Sequence, residues 1–496
     1  MAITHDLRAS VRALVSDEVG VRAREAAERV ALVYPSPYRT GMSSLGFQTI
    51  YREINEREGR SAERAFLPDD PDAYRRARTR LFTFESERPV SDFPVVALSV
   101  AYELELAGVI EVLELAGIAP LAEARGARDP IILMGGPLTF SNPLPLAPFA
   151  DVVLMGECDE TIHAALDAIF ASGSKDAALD AIARTIPSAF VPSLHGDALP
   201  GIAKASLERL PAYAAIRTPH TELSNMFLLE AERGCSRACE YCVMRRSTNG
   251  GMRIVPMETV LARIPDDARR VGLVGAAVSD HPKIADIVET LARQGREVGL
   301  SSLRPDRLND RFVGALKMAG YRTLTTASDG ASQRLRDKMQ RKAQEKHLLR
   351  AAELTRAHAM QRMKLYMMIG VPGEEDVDVD ELVKFATELS RIAPLALGIA
   401  PFIAKRNTPL DGEPFAGIDV VDDRLDRLRR GLRGRVDVRA TSARWAWVEY
   451  VLAQGGRAEG RAVMDAVHAG GKFAAWKKAF GALAPSRPRR ALAVVA

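Results

Sequence analysis

The chain has 496 residues, a formal net charge of +4, and hydrophobic and charged fractions of 47% and 27%. This length predicts two to four domains, and the composition is that of a folded globular protein. The small net charge is no reason by itself to expect nucleic acid, although it does not exclude it. Because no apolar run approaches the roughly 18 residues of a membrane span, we expect no membrane partner.

The first third of the chain alternates short apolar runs with helix-length segments. Continuously apolar strands that alternate with helices predict a parallel sheet covered on both faces. We therefore predict a doubly wound, Rossmann-like domain over residues 1–205, with any ligand at the carboxyl ends of its strands. The predicted strands are 30–34, 95–99, 131–134 and 152–155.

Small residues stand where these predicted strands end. Glycine lets the backbone approach a ligand closely, and it serves plain tight turns equally well. The loop after the first strand, 35–41, contains no histidine. The candidate binding residues of this domain are Ser99, Gly135, Gly136 and Gly156.

Three of the four cysteines, Cys235, Cys239 and Cys242, fall within eight residues, just after a strand-like run. Thiolates are the ligands of iron–sulfur clusters, and a complete [4Fe–4S] cube normally takes four. Three would leave one iron open for a small molecule. Zinc motifs usually come as two pairs of cysteines or histidines, and this cluster has no second pair nearby. Ligand-type cysteines suit a reducing compartment, so we expect the cytoplasm, and we predict that Cys158 is an ordinary packed or loop cysteine.

A second series of strand–helix units begins near residue 226. Six such units make an open, partial version of the parallel (β/α) barrel, whose chemistry gathers at the carboxyl ends of the strands. Cys235 follows the first strand, as that geometry requires. We predict a partial (β/α)6 barrel over residues 206–412. The predicted strands are 226–232, 272–278, 297–303, 322–327, 363–369 and 395–402.

Loops after the later strands carry further candidate binding residues. Aspartate, serine and glycine also form turns, so each loop alone has an ordinary structural explanation. Arginine suits bidentate binding of carboxylate or phosphate, and a further basic pair, Arg245 and Arg246, follows the cysteines. The candidates are Ser279, Asp280, Ser301, Arg304, Asp329, Arg334, Ile369 and Gly370.

Beyond residue 412 the pattern becomes helical, with helices predicted at 422–432, 442–453 and 460–469. A basic, Pro/Ala-rich stretch follows, which includes Lys477, Lys478 and residues 487–490. We predict a C-terminal helical extension over 413–496 with a flexible basic tail. The extension would either cover the barrel mouth or pack against its open edge, and the tail supports at most weak attraction to RNA.

The CxxxCxxC spacing, with Tyr241 directly before the last cysteine, resembles the signature of the radical S-adenosylmethionine (SAM) enzymes. In that superfamily the cysteines hold a [4Fe–4S] cluster, SAM binds the open iron, and one electron cleaves SAM to a 5′-deoxyadenosyl radical. The resemblance implies SAM contacts for Tyr241 and the eight loop residues above. It also implies an electron donor such as flavodoxin or ferredoxin, while the substrate and any further catalytic residue stay unknown.

The first third is similar to the cobalamin-binding domain that precedes many radical SAM domains. Ser99, Gly135 and Gly136 stand where loops around the nucleotide tail of cobalamin would be, and Gly156 follows the next strand. The usual Asp-x-His-x-x-Gly loop of that domain has no counterpart. The resemblance therefore implies cobalamin without a histidine ligand from this loop; an empty scaffold, or one that holds another ligand, is the alternative.

These resemblances imply a radical SAM enzyme of an uncharacterised, cobalamin-domain group that performs cobalamin-assisted methylation or another radical modification. One alternative is a radical SAM enzyme without functional cobalamin, such as a methylthiotransferase or an enzyme of radical rearrangement. Methylthiotransferases usually carry a second cluster on three further cysteines, and only Cys158 remains here. The other alternative is a non-catalytic protein that binds zinc and RNA.

Overall fold

The computed structural model describes residues 2–244 and 251–483. Arg245, Arg246 and the basic residues 487–490 of the predicted tail lie outside these ranges. The described chain divides into two compact units. One comprises the chain up to Phe227 and again from Val451, and the other is Leu228–Tyr450. The boundaries at 205/206 and 412/413 stay a prediction.

The first unit is built on one six-stranded sheet in the order β2-β1-β3-β4-β5-β6. Its strands are parallel except the short edge strand β6, which runs antiparallel to β5. This arrangement confirms the predicted doubly wound sheet. The strands are β1 (Glu28–Tyr34), β2 (Arg60–Phe66), β3 (Val95–Ser99), β4 (Ile131–Gly135), β5 (Val152–Leu154) and β6 (Ala189–Phe190).

Helices and short helical turns surround this sheet, and the apolar strand residues are buried between them. The helices before the second unit are α1 (Ala2–Ser16), α2 (Tyr38–Gly41), α3 (Leu45–Glu56), α4 (Pro71–Ala77), α5 (Glu105–Ala116), α6 (Thr161–Ala171), α7 (Lys175–Thr185) and α8 (Pro192–His195).

The second unit contains the strands of a partial parallel barrel. One ladder has the order β11-β10-β7 and the other β12-β13-β14-β15, and a parallel bridge between Leu303 and Thr326 joins them. A two-stranded antiparallel ladder of β8 and β9 stands apart from both. The strands are β7 (Met226–Glu230), β8 (Glu232–Gly234), β9 (Met252–Ile254), β10 (Arg270–Val274), β11 (Glu297–Leu300), β12 (Thr323–Asp329), β13 (Arg362–Ile369), β14 (Leu395–Pro401) and β15 (Asp437–Ala440).

The six strands predicted for the barrel are all present, and β15 is an additional one that pairs in parallel with β14. The helices of this unit, apart from the last, lie between its strands. They are α9 (Met257–Ala262), α10 (Ile284–Arg293), α11 (Asp310–Met318), α12 (Gln333–Lys338), α13 (Glu345–Ala357), α14 (Asp376–Ile392), α15 (Ile418–Leu432) and α16 (Ala443–Gln454).

Two further helices close the described chain, α17 (Arg457–His468) and α18 (Phe473–Gly481). The prediction that Lys477 and Lys478 belong to a flexible tail is wrong, because both lie within α18. The apolar side of α18 anchors it, since Trp476 and Phe480 are buried. Within the described ranges, no helix combines the length and the apolarity that crossing a membrane requires.

Candidate functional site

The cysteine loop begins where β8 ends. Gly234 closes that strand with a φ of +105°, a conformation that glycine adopts without steric cost. Cys235 follows directly. Cys239 is buried, whereas Cys235 and Cys242 are half-buried, and all three are free thiols. The loop therefore presents three unmodified sulfur donors beyond the carboxyl end of β7, the first barrel strand.

These thiols lie close enough to influence one another. Burial is the largest cause that raises the pKa of Cys235 and raises that of Cys242 to about 11, and Coulomb repulsion from the neighbouring Cys239 adds to both shifts. A bound cationic centre would remove that mutual repulsion. Among the described residues, no three His, Cys, Asp or Glu side chains converge as ligands of a single metal ion would. Thiolates that each hold a different iron of a cube need not converge.

Tyr241, between two of the cysteines, is anchored to the loop that follows β12. Its hydroxyl donates to Asp329 Oδ2 (2.6 Å), and Arg341 forms an ion pair with the same carboxylate (2.5 Å). Burial and the charge of Asp329 raise the pKa of Tyr241 far above its ordinary value, so the hydroxyl remains a donor. The Tyr241 ring packs against an apolar cluster that consists of Met339, Val371, Phe402 and Ala404.

A network of arginines and aspartates lies on the other side of the loop. Asp280 accepts from Arg304 Nη1 (2.9 Å) and Arg307 Nε (3.0 Å), and more distantly from Arg237 Nε (3.5 Å). Asp306 pairs with Arg304 at 2.6 Å and with Arg237 at 3.3 Å. Since Arg237 belongs to the cysteine loop, this network ties that loop to the loops after β10 and β11.

The remaining candidates after β10, β11 and β12 differ in how exposed they are and in the partners that they already bind. Ser279 is buried and accepts from the backbone N–H of Arg304 (3.1 Å). Ser301 is exposed and donates to the carbonyl of Gly275 at 3.3 Å. Arg334 is half-exposed and donates to the Gly373 carbonyl (3.0 Å), besides its ion pair with Asp378. The Arg334 guanidinium is therefore engaged at the start of α14, away from the network around Asp280.

Ile369 and Gly370 form the turn that follows β13. Ile369 is buried, and its carbonyl accepts from the backbone N–H of Phe402 (2.8 Å), a member of the cluster around Tyr241. Gly370 has a φ of +77°, and its N–H donates to the buried carboxylate of Glu374. This turn thus joins the apolar cluster beside the cysteine loop.

Glu232, three residues before Cys235, was not among the predicted site residues. Its side chain is completely buried, Oε1 accepts from the Ala277 N–H (2.7 Å), and Oε2 has no hydrogen-bond partner among the described residues. Burial raises the pKa of Glu232 to about 7. Gly275 makes room for this carboxylate, since a Cβ there would lie 2.2 Å from Oε1. A charged residue inside an apolar strand run was the one available signal.

The candidates of the first unit lie at the carboxyl edge of its sheet. A Cβ at Gly136 would lie 2.6 Å from the carbonyl oxygen of Val100, and one at Gly156 would lie 2.5 Å from that of Ala203. The backbone of the unit itself therefore explains both of these glycines. Ser99 is half-buried beside Gly136, and nearby Tyr102 is exposed.

Cys158 packs against the same edge. Burial raises the pKa of Cys158 to about 12, and its thiol donates to the Gly156 carbonyl at 3.5 Å. A Cβ built on Gly135 would lie 3.5 Å from this sulfur. These contacts agree with the packed cysteine that the sequence predicts.

A partial parallel barrel with a loop of three free cysteines after its first strand, joined in sequence to a doubly wound unit, suits the class of enzymes that hold an iron–sulfur cluster on cysteines. Comparison with known families makes the class specific. The family model described as radical SAM proteins, N-terminal, matches residues 46–192, and that of the radical SAM superfamily matches residues 230–386. The chain belongs to the radical SAM superfamily and is an enzyme, which excludes the non-catalytic alternative.

The similarity to other proteins covers most of the chain. An uncharacterized protein of Methanocaldococcus jannaschii, MJ0966, is 24% identical over 400 residues, which are 78% of this chain and 80% of that protein. The radical SAM methyltransferase TsrM from Kitasatospora setae, solved with cobalamin and a [4Fe–4S] cluster, gives a TM-score of 0.55 at 14% identity, over 80% of this chain and 78% of that one. The structure of TsrM with tryptophan substrate and a SAM analogue gives a TM-score of 0.54 at 15% identity, over 80% of this chain and 76% of that one. At these identities the likeness shows the fold.

Proposed function

We propose that this radical SAM enzyme binds a [4Fe–4S] cluster through Cys235, Cys239 and Cys242 and binds SAM at the open iron. The loop of three mutually close thiols at the carboxyl end of the first barrel strand carries this proposal. When bound, the cluster and SAM supply a 5′-deoxyadenosyl radical after one electron arrives from a donor such as flavodoxin or ferredoxin. The donor set fits, because thiolates are the usual ligands of such clusters.

Residues of the chain would bind and orient SAM. The Tyr241 ring, with the apolar cluster and the Ile369–Gly370 turn, offers flat apolar contact to an adenine. The network of Arg237, Arg304 and Arg307 against two aspartates keeps one net positive charge, which suits the SAM carboxylate. Ser279, Asp280, Ser301 and Asp329 are the proposed polar contacts to the rest of SAM. Arg334 would first have to leave Asp378.

The finer proposal is that the enzyme methylates an unactivated carbon with the help of cobalamin. The fold shared with TsrM, solved with cobalamin bound, supports it. In this chain Ser99 and Tyr102 are the polar side chains at the carboxyl edge of the first unit that would face such a ligand, beside Gly135, Gly136 and Gly156. Loop 35–41 offers no histidine to the cobalt.

A second candidate, a radical SAM enzyme without functional cobalamin, is favoured by one observation. The close contacts of Gly136 and Gly156 are filled by the protein's own backbone, so neither glycine requires a ligand. Equilibrium dialysis of the whole protein with hydroxocobalamin separates the two candidates. Stoichiometric retention supports the methylation proposal, and no retention supports the second candidate.

The cluster proposal is tested by anaerobic reconstitution with iron and sulfide. We expect broad visible absorbance that bleaches with dithionite, and 5′-deoxyadenosine formed from SAM once reductant is added. Cys239→Ala should lose both signals, because two thiolates would remain for the cube. Cys158→Ala is the matched control and should keep both. Undiminished 5′-deoxyadenosine formation by Cys239→Ala would contradict the ligand assignment.

A further inference from the structure

A short segment after α12 runs alongside the cysteine loop. The backbone N–H of Glu240 donates to the Met339 carbonyl (3.1 Å), and Gln340 Nε2 donates to Glu240 Oε1 (2.6 Å). These contacts hold Met339 and Gln340 against Glu240, the residue that follows Cys239. The position of Arg341 next to the loop is therefore fixed by backbone as well as by side-chain contacts.

The backbone is strained on both sides of Arg341. Gln340 has a φ of +51° and Lys342 a φ of +58°, in the left-handed region that residues other than glycine, asparagine and aspartate rarely adopt. Such positions cost on the order of 1 kcal/mol or more each and persist only where the surroundings impose them. Asp329, which pairs with Arg341, also has a left-handed φ of +61°. Two unfavourable conformations thus flank Arg341, whereas aspartate tolerates the left-handed region.

The Arg341 guanidinium is largely buried and reaches the cysteine loop through Asp329, which also accepts from the Tyr241 hydroxyl. Its side chain is 12% exposed, pairs with Asp329, and donates from Nη2 to the Ala327 carbonyl (3.3 Å). A permanent cation therefore stands one carboxylate away from Tyr241, the residue directly before Cys242.

We propose that Arg341 is a positioning residue that raises the reduction potential of the cluster, and that Asp329 limits the increase by neutralising part of its charge. This inference rests on the proposed function, since it requires the three cysteines to hold a [4Fe–4S] cluster. The reduced cluster carries one more negative charge than the oxidised one. Hydrogen bonds to the sulfurs and nearby charge set the potential of such clusters, and burial leaves the charge poorly screened.

The two partners should change the potential in opposite directions. Arg341→Met removes the cation but keeps a long apolar side chain, so the electron becomes harder to add. Asp329→Asn removes the neutralising charge and leaves Arg341 in place, so the electron becomes easier to add. A merely structural role for this pair would give no such difference in sign. Arg341→Lys keeps the charge and should stay nearest to the unchanged protein.

The experiment is a potentiometric titration of the reconstituted full chain without SAM, followed by the electron paramagnetic resonance signal of the reduced cluster. For Arg341→Met we expect the ratio of reduced to oxidised cluster at a fixed potential to fall about tenfold, a shift of about 59 mV for one electron. Arg311→Met is the control, because Arg311 is an exposed residue of the same unit that pairs with Glu289 and Asp286. It should leave the potential unchanged.

The outcomes separate this inference from the proposed function. If the unchanged protein assembles no cluster, the proposed function fails. Suppose instead that the unchanged protein assembles a cluster. The role of Arg341 is then overturned if the reduction potentials of Arg341→Met and Asp329→Asn equal that of the unchanged protein or shift from it in the same direction. Iron and sulfide content is measured for every variant. Should Arg341→Met lose its cluster, Asp329→Asn decides, because only an increase in its potential supports the inference.

Discussion

Glu374 illustrates a buried acid held in the turn after β13. Oε2 accepts from Arg424 Nη1 (2.9 Å) as well as from the Gly370 N–H, while Oε1 has no hydrogen-bond partner among the described residues. Burial is the largest influence and raises the pKa of Glu374 from 4.5 to about 7, although Gly370 and Arg424 favour the charged form. Between pH 4.5 and about 7, the folded chain therefore holds a proton on Glu374 that the unfolded chain releases.

This difference predicts a pH-dependent contribution to stability. A carboxyl whose pKa is higher in the folded state adds stability below its ordinary pKa and loses it as pH rises, here between 4.5 and about 7. In Glu374→Gln the thermal midpoint should decline less across this window than in the unchanged protein. The exposed Glu353→Gln serves as the control and should keep the original slope. Equal slopes in all three proteins would contradict the assignment.

At the residue scale the sequence identifies functional groups whose role can be predicted from their immediate neighbours in the chain. The cysteines and Tyr241 belong to one short motif, and Asp280 and Asp329 follow predicted strands. Arg341 and Glu232 were not among the predicted site residues, because their relevance depends on partners far along the chain, Asp329 for Arg341 and Ala277 for Glu232. The assigned roles of all the candidate residues stay predictions.

At the scale of elements, helix α5 depends on a glycine that packs against a loop. A Cβ at Gly108 would lie only 1.9 Å from the carbonyl oxygen of Pro35, which follows β1. A backbone oxygen cannot move aside as a flexible side chain can. By contrast, a Cβ at Gly46, an exposed position in α3, would meet no atom within 4 Å. Close packing therefore requires a glycine at position 108 but not at position 46.

Replacing each with alanine should separate steric contact from helix propensity. Gly108→Ala should lower the free energy of unfolding by about 1–3 kcal/mol, because α5 and the loop after β1 must move apart. Gly46→Ala should raise it by up to about 1 kcal/mol, since alanine favours the helix. Denaturant unfolding of both variants measures the difference. A Gly108→Ala variant as stable as Gly46→Ala would show that the loop after β1 can move away from α5 without a cost in free energy.

Elements with plain apolar runs were predicted, and those with charged residues were not. Strand β2 has Arg60, Glu63 and Arg64 within it, yet every residue of the strand is buried. Arg64 is accommodated by ion pairs with Glu18 (2.7 Å) and Glu85 (2.6 Å). Strand β15 contains Asp437 and Arg439 and follows a helix in a stretch expected to be helical. In both strands pairing and ion pairs outweigh the apolar pattern on which sequence prediction relies.

At the scale of the whole molecule, the two candidate cofactor sites belong to different units. Ser99, Tyr102 and the glycines lie in the unit up to Phe227, and the cysteines lie in Leu228–Tyr450. Each group of residues is positioned by its own sheet, with separate strand ladders. Loss of one cofactor therefore has no reason to dismantle the residues that would hold the other.

We therefore predict that the variant with Cys235, Cys239 and Cys242 all replaced by alanine loses iron but retains hydroxocobalamin at the stoichiometry of the unchanged protein. The measurement is iron content and visible absorbance of the full chain after equilibrium dialysis and gel filtration. Ser99→Val is the converse test, because it removes a hydroxyl at the edge of the first unit while leaving the thiols intact. It should weaken cobalamin retention and keep the cluster. Loss of cobalamin from the triple cysteine variant would mean that the first unit does not hold this ligand by itself.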